Sequence, residues 1–267
     1  MMLFLEICFK NLVYFITKPN HRRFYLLVLW YGDVKRYTTK RIKLFGNTLT
    51  VPDCLSFIWQ FKEIYVDESY AFKSTKNNPV IIDCGSNIGL SALYFHSIYP
   101  QVQLTCIEAD PKIASILEQN LKANNLKAEI IAKAAWIHDE GVSFSSEGSD
   151  SGSIKENSNT TLTPSLRLKT LLNSYESIDF LKMDIEGAEN LVIPDCADEL
   201  RKVDKLFLEY HASFNEDQHL DKLLSILKSA GFHYYIKTEN KRKSPFVNLH
   251  EHKMYDLQLN IYAYRKG

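Results

Sequence analysis

From Val80 onward, short apolar runs alternate with stretches whose apolar residues recur every three or four positions. Runs at 80–84, 103–108, 128–136, 178–184 and 205–210 read as buried strands. Between them, Leu90, Leu93, Tyr94 and Ile98 mark a helix that Pro100 ends, and Ile113, Ile116, Leu117 and Leu121 mark a second that stops at Asn124-Asn125. Asp110-Pro111 supplies the second helix with an N-cap and a proline in its first turn. A third helix is expected over Asn215–Ala230, with Asn215 and Gln218 as a capping box, a Leu220, Leu223, Leu224, Leu227 stripe, and Gly231 at its end. Phe232–Ile236 and Leu257–Tyr264 complete the strands, and the Ser/Thr-rich stretch 141–165 reads as a long polar loop or weak hairpin. This rhythm predicts an α/β fold: a mostly parallel, twisted sheet with helices on both faces. Ligands of such sheets sit beyond the carboxyl ends of the strands.

The first 77 residues lack the rhythm and form a small N-terminal extension, leaving 78–267 as the main domain. Arg41–Phe45 and Thr48–Val51 flank Gly46-Asn47 as a hairpin, Cys54–Phe72 looks helical, and Ser74–Pro79 is a linker. Met1–Ile16 is apolar but interrupted by Glu6 and Lys10, too short for a span, and not followed by a small-residue cleavage site. Glu6, Lys10 and Tyr14 share one face of a helix there. That helix either packs on its own domain or, with Lys18, His21, Arg22 and Arg23 after it, makes peripheral contact with a membrane or partner.

Composition narrows the classes. Lys plus Arg and Asp plus Glu both number 32, so no overall attraction draws the chain to nucleic acid. The five cysteines are widely spaced, and Cys84 and Cys106 fall inside apolar strands, which suits a reduced, cytoplasmic setting without structural zinc.

Three strand ends carry the candidate chemistry. The first is Asp83-Cys84-Gly85-Ser86-Asn87-Ile88-Gly89, a turn that opens a helix. A dinucleotide site wants a second glycine where Asn87 stands, so that backbone can close on a pyrophosphate. Its absence favours S-adenosylmethionine, which has no phosphate. The turn Gly85, Ser86, Asn87 at the helix N-terminus suits the methionine carboxylate, and Asp83 its ammonium. Glu108, at the next strand end, suits both ribose hydroxyls, each bond being worth roughly 1.5–3 kcal/mol. Ala135-Trp136 ends the third strand, where Trp136 lies either near the adenine or in the core.

The third strand end, Leu181-Lys182-Met183-Asp184-Ile185-Glu186-Gly187-Ala188-Glu189, is the most specific string. With Asp83-x-Gly-x-Asn-x-Gly and Ile107-Glu108-Ala109-Asp110, it resembles the FkbM methyltransferases from about Trp59 to Gly231. The resemblance implies a Rossmann-like class I fold, S-adenosylmethionine as cofactor, and O-methylation of a hydroxyl on a sugar, polysaccharide or polyketide. It also implies Glu108 as the family's glutamate after the second strand, and Asp184 and Glu186 as its acidic motif.

From the residues themselves, alternation along a strand puts Lys182, Asp184 and Glu186 on one side. Asp184 can bond the acceptor hydroxyl or the methionine ammonium. Glu186 can act as base or hold a neighbouring base, and Lys182 can be ion-paired. His211 closes the next strand as base or as structural residue. Asp, Glu and His could hold a metal, but transfer from a sulfonium needs none, so no metal is expected. The acceptor is expected to be a small molecule or glycan, not nucleic acid. Two rival readings are a cofactor-binding scaffold without catalysis and a methyltransferase acting on nucleic acid or protein. Residues 1–77, 149–153 and 241–245 are left, by elimination, as walls of the acceptor site.

Overall fold

The computed structural model describes residues 13, 15–145, 153–154, 161–213, 217–239, 242–248 and 255–266. The apolar segment before residue 13, and most of the 149–153 loop, lie outside them.

The N-terminal region carries α1 (Pro19–Tyr31), the hairpin β1 (Lys40–Leu44) and β2 (Asn47–Val51), and α2 (Cys54–Phe61). Asp53 caps α2 by accepting the Leu55 amide at 3.0 Å. The helix expected to reach Phe72 instead ends in one wider turn, Lys62–Val66, where the Asp67 amide reaches back to Lys62.

The central sheet is built from β3 (Val80–Cys84), β4 (Gln103–Ile107), β5 (Glu129–Ile131), β11 (Ile178–Met183), β12 (Val203–Ser213), β13 (His233–Thr238) and β14 (Tyr255–Tyr264). Its order is β13-β14-β12-β11-β3-β4-β5, with β14 antiparallel to both neighbours. Helices α3 (Leu90–Ile98), α4 (Pro111–Ala123), α6 (Glu189–Asp195) and α7 (Leu220–Ser229) join the strands. Asp110 caps α4 through the Lys112 and Ile113 amides.

Three details depart from the sequence reading. The strand expected over 128–136 divides: β5 joins the sheet, while β6 (Ala134–Trp136) pairs in parallel with β10 (Ser165–Arg167), which leads into the short helix α5 (Leu168–Asn173). The stretch 141–165 holds a small antiparallel sheet of β7 (Val142–Ser145), β8 (Ser153–Ile154) and β9 (Thr161–Thr163). Helix α7 starts at Leu220 without a side-chain cap, Asn215 lies outside the described residues, and Gln218 bonds Asp256 instead.

The sheet is buried on both faces. Ile82, Cys84, Leu181, Met183, Leu206 and Leu208 face one core with α6 and α7. The alternate residues Ile81, Phe180 and Phe207 face the other, where Leu27, Phe57 and Phe61 of the N-terminal region meet Leu90 and Leu117 of α3 and α4. The extension is therefore continuous with the main core. Asn120 on α4 and Asn124 at its C-cap, one turn apart, make paired bonds to Thr50 and Thr48, two apart on the edge of β2. A helix turn and two strand residues cover similar lengths, so the matched amides dock the hairpin edge on α4.

Candidate active site

The second face changes character toward the carboxyl end of the sheet. Along β3, β11 and β12, the positions after Ile81, Phe180 and Phe207 on that face are Asp83, Lys182 and Glu209. Lys182 is 2% exposed. Its Nζ lies 3.3 Å from Asp83 Oδ1 and 3.4 Å from Asp184 Oδ2, and it donates to the carbonyls of Cys84 (3.3 Å) and Gly85 (2.9 Å). Burial by itself would lower the lysine pKa; the Asp83 and Asp184 charges outweigh it and hold the ammonium charged. Lys182 thus fastens the turn after β3 to the end of β11.

That turn needs glycine at its first position. Gly85 has φ +82°, and a Cβ there would stand 1.9 Å from the Asp184 carbonyl oxygen. The amides of Gly85 and Ser86 donate to Ile107 O, that of Asn87 to Glu108 Oε2 (2.8 Å), that of Ile88 to the Asn87 side chain, and that of Gly89 to Ser86 O. These five donors are engaged within the protein, which departs from the expectation that the turn offers free amides to a carboxylate. Glu108 also accepts the Asp110 amide, at 2.9 Å. Burial pushes its pKa up to about 7 against the pull of the two amide bonds. A carboxylate has about four lone-pair sites, so two remain for further donors.

A cavity of about 590 Å³ opens on these groups. Gly85, Ser86, Asn87, Glu108, Ala135, Asp184 and Glu186 line it. Three of the residues singled out from the sequence do not. Asp83 is fully buried, accepting the Ser91 hydroxyl at 2.5 Å and paired with Lys182, so it presents no carboxylate to a ligand ammonium. Trp136 is a core residue whose Nε1 donates to His138 Nε2 at 3.0 Å, and Ala134 and Ala135 face the cavity in its place. His211 is 2% exposed and stands behind the wall.

The loop after β11 arranges the remaining acids. The strand ends at Met183, and Glu186 has φ +57°, so its position comes from the loop and not from strand alternation. Glu189, at the start of α6 and fully buried, accepts the amides of Ile185 (2.9 Å) and Gly187 (2.8 Å), which flank Glu186. Glu186 Oε2 accepts the Tyr255 hydroxyl at 2.8 Å and lies 3.7 Å from His211 Nε2. Burial and the nearby Asp184 charge push Glu186 up to about 8, with His211 opposing. His211 also faces Glu189 (3.4 Å) and Glu209 (3.6 Å). Burial would lower the imidazole pKa, but Glu189, Glu209 and Glu186 raise it to about 10. At neutral pH it is therefore an imidazolium, contrary to the expectation of a free base near neutrality. The ligand atoms of Asp184, Glu186 and His211 lie within 4.8 Å of one another, close enough in spacing for a cation.

Residues 83–234 match the Methyltransferase FkbM domain. The chain belongs to the FkbM family of S-adenosylmethionine-dependent methyltransferases. It is 26% identical over 167 residues to Methyltransferase sdnD of Sordaria araneosa, covering 48% of this chain and 64% of that protein. To 2-O-methyltransferase NoeI of Sinorhizobium fredii it is 28% identical over 157 residues, covering 51% of this chain and 64% of that protein. The crystal structure of Methyltransferase FkbM from Methylobacillus flagellatus is 16% identical, with a TM-score of 0.44 over 91% of this chain and 59% of that one.

Within this FkbM domain the cofactor fits the groups present: a cavity of cofactor size, Glu108 with acceptor capacity to spare, and Lys133 to Ala135 beside it. Sequence reasoning missed the rest of the wall. Glu63 and Tyr70 come from the N-terminal region, Glu209 from β12, Glu239 from just after β13, and Gln258 from β14. Glu209 and Glu189 lay in view as acids beside the recognised motifs. Glu63, Glu239 and Gln258 carry no local signal, because only the sheet order brings them together. Of the walls expected by elimination, the N-terminal region lines the cavity through Ser56, Trp59, Gln60 and Glu63, whereas residues 242–245 do not.

Proposed function

We propose that this protein transfers the methyl group of S-adenosylmethionine to a hydroxyl of a sugar or glycan. The observation that carries the reading is that Glu108 on one side and Asp184 and Glu186 on the other line a single cavity. When bound, the cofactor supplies an electrophilic methyl group on a sulfonium that already has a good leaving group. Glu108 accepts its ribose hydroxyls with the lone pairs the backbone leaves free. Asp184, steadied by Lys182, orients the acceptor hydroxyl. Glu186, held by Tyr255 and backed by the His211 imidazolium, takes the hydroxyl proton. His211 is then a positioning residue. Alignment of the hydroxyl with the methyl group can supply roughly 7–11 kcal/mol, and proton removal adds about 10²–10⁴-fold. Alignment is the larger contribution.

A polyhydroxylated acceptor suits the wall. Glu63, Glu209, Glu239 and Gln258 offer many hydrogen-bond acceptors, and Trp59 and Tyr70 offer ring faces on which a sugar can stack. The relationship to a protein named as a 2-O-methyltransferase supports oxygen as the methylated atom. The test is turnover with S-adenosylmethionine across free sugars, nucleotide sugars and oligosaccharides, with methylated positions read by mass spectrometry. Methylation of a protein or nucleic acid while every sugar stays unmodified would overturn the reading.

A further inference from the structure

We infer that the outer face of α1, with the adjoining hairpin, docks on an anionic membrane surface. Residues 13–50 hold eight lysines and arginines and one acid, Asp33, in a chain whose full totals are 32 and 32. The concentration of positive charge is therefore local. Helix α1 turns Leu27 and Phe24 inward. Arg22 and Leu29, spaced i and i+7, lie away from that packed side, and Tyr25 between them rests against the Phe15 ring at 5.8 Å. Val28, Leu29 and Trp30 are three consecutive exposed apolar residues, with Leu29 at 76% and Trp30 at 62% exposure. Scattered exposed hydrophobes are ordinary; here Leu29 and the interface-favouring Trp30 are adjacent at the end of a helix whose first turns carry Arg22 and Arg23, so shallow apolar insertion can accompany charge attraction.

The hairpin extends the positive surface. Arg23 stacks its guanidinium 4.6 Å from the ring of Phe45, in the turn after β1, and the exposed residues of β1 are Lys40, Arg41 and Lys43. Among the described residues, no helix is long and apolar enough to cross a membrane, so contact through this face is peripheral. Charge complementarity selects anionic lipid as the occupant, and the apolar residues supply the insertion that charge alone does not.

The face is fixed to the cavity. Asn20 donates to the Tyr65 carbonyl at 2.9 Å, anchoring α1 to the turn that carries Glu63. The Phe24 ring lies 6.1 Å from that of Trp59, a half-exposed residue of the cavity rim. Because Phe24 is on the packed side of α1, docking would hold that rim one helix diameter, roughly 10–12 Å, from the bilayer.

The experiment is co-sedimentation of the full chain with phosphatidylcholine vesicles, with and without phosphatidylglycerol, at low and high salt. Binding is expected only with phosphatidylglycerol and is weakened by salt. Arg22→Ala and Lys43→Ala should each weaken it about fivefold, and Leu29→Glu with Trp30→Glu should abolish it. Unchanged unfolding midpoints and cofactor affinity in these variants would show that fold and cavity are intact. Absence of phosphatidylglycerol-dependent binding, or binding that survives the Leu29 and Trp30 changes, overturns the inference. So does a wild-type dimer, seen by ultracentrifugation, that the same changes convert to monomer, since the face would then bind a second copy of the chain.

Discussion

Glu189 Oε1 lies 3.4 Å from His211 Nδ1, and both side chains are buried behind the loop that follows β11. The same carboxylate accepts the amides of Ile185 and Gly187, so one acid sets both the loop that carries Glu186 and the imidazolium that faces it. Removing it takes the nearest of three carboxylates from the buried imidazolium and the shared acceptor from two amides. Glu189→Ala should therefore cost about 3–5 kcal/mol in denaturant unfolding. Glu189→Gln, which keeps one acceptor oxygen, should cost less. Equal stability of all three proteins would show that the clamp contributes nothing.

Protonation of this cluster predicts an unusual pH dependence. The His211 pKa of about 10 lies above its ordinary 6.5, so its stabilisation is complete below pH 6.5 and lost as pH rises through 10. Glu186 at about 8 and Glu108 at about 7 also bind protons more tightly folded than at their ordinary 4.5, so their ionisation again lowers stability as pH rises. Unfolding midpoints of the cofactor-free protein should fall from pH 6.5 toward 10, and less steeply in His211→Asn. In turnover, the rising limb should lie nearer pH 8 than 6.5 where Glu186 takes the hydroxyl proton as proposed. A wild-type limb at 6.5 that vanishes in His211→Asn would return the base role to the histidine.

Glu108→Ala should weaken S-adenosylmethionine binding about tenfold to several hundredfold by titration calorimetry, through loss of two charge-assisted bonds. It also frees the Asn87 and Asp110 amides, so part of the loss is a loosened turn. Glu108→Gln separates the two contributions by keeping one acceptor. Wild-type affinity in the alanine variant would remove Glu108 from the cofactor site.

Two glycines with positive φ should respond differently to alanine. At Gly85 a Cβ meets the Asp184 carbonyl oxygen at 1.9 Å, whereas at Gly187 nothing lies within 4 Å. Gly187→Ala should cost about 1–3 kcal/mol for the strained backbone alone. Gly85→Ala should cost clearly more and lower the soluble yield, because β3 and β11 would have to part. The obstacle is the protein's own strand end, not a ligand.

Chelation tests the role of the acidic cluster. A metal at Asp184, Glu186 and His211 would require His211 to give up its proton, and the sulfonium needs no Lewis acid. EDTA should leave turnover unchanged. Loss of activity restored by magnesium or manganese would instead make these residues ligands.

Local features were legible wherever a residue acts through its neighbours in sequence. The strand–helix alternation, the Asp110 cap, and the turn after Val80–Cys84 with Glu108 depend on contacts within a few residues or within one βαβ unit. Tertiary structure decided everything that depends on which strands become neighbours. Placing β14 antiparallel beside β12 brings Tyr255 to Glu186 and Gln258 to Glu209 across more than forty residues. Packing the N-terminal region on the second face delivers Glu63, which has no motif of its own. Burial then reassigned roles that residue type alone had suggested. Asp83 became the counter-ion of Lys182, and His211, with three carboxylates around it, became a held cation. Charge state follows from desolvation and neighbouring charge, and neither is written in the order of residues along a chain.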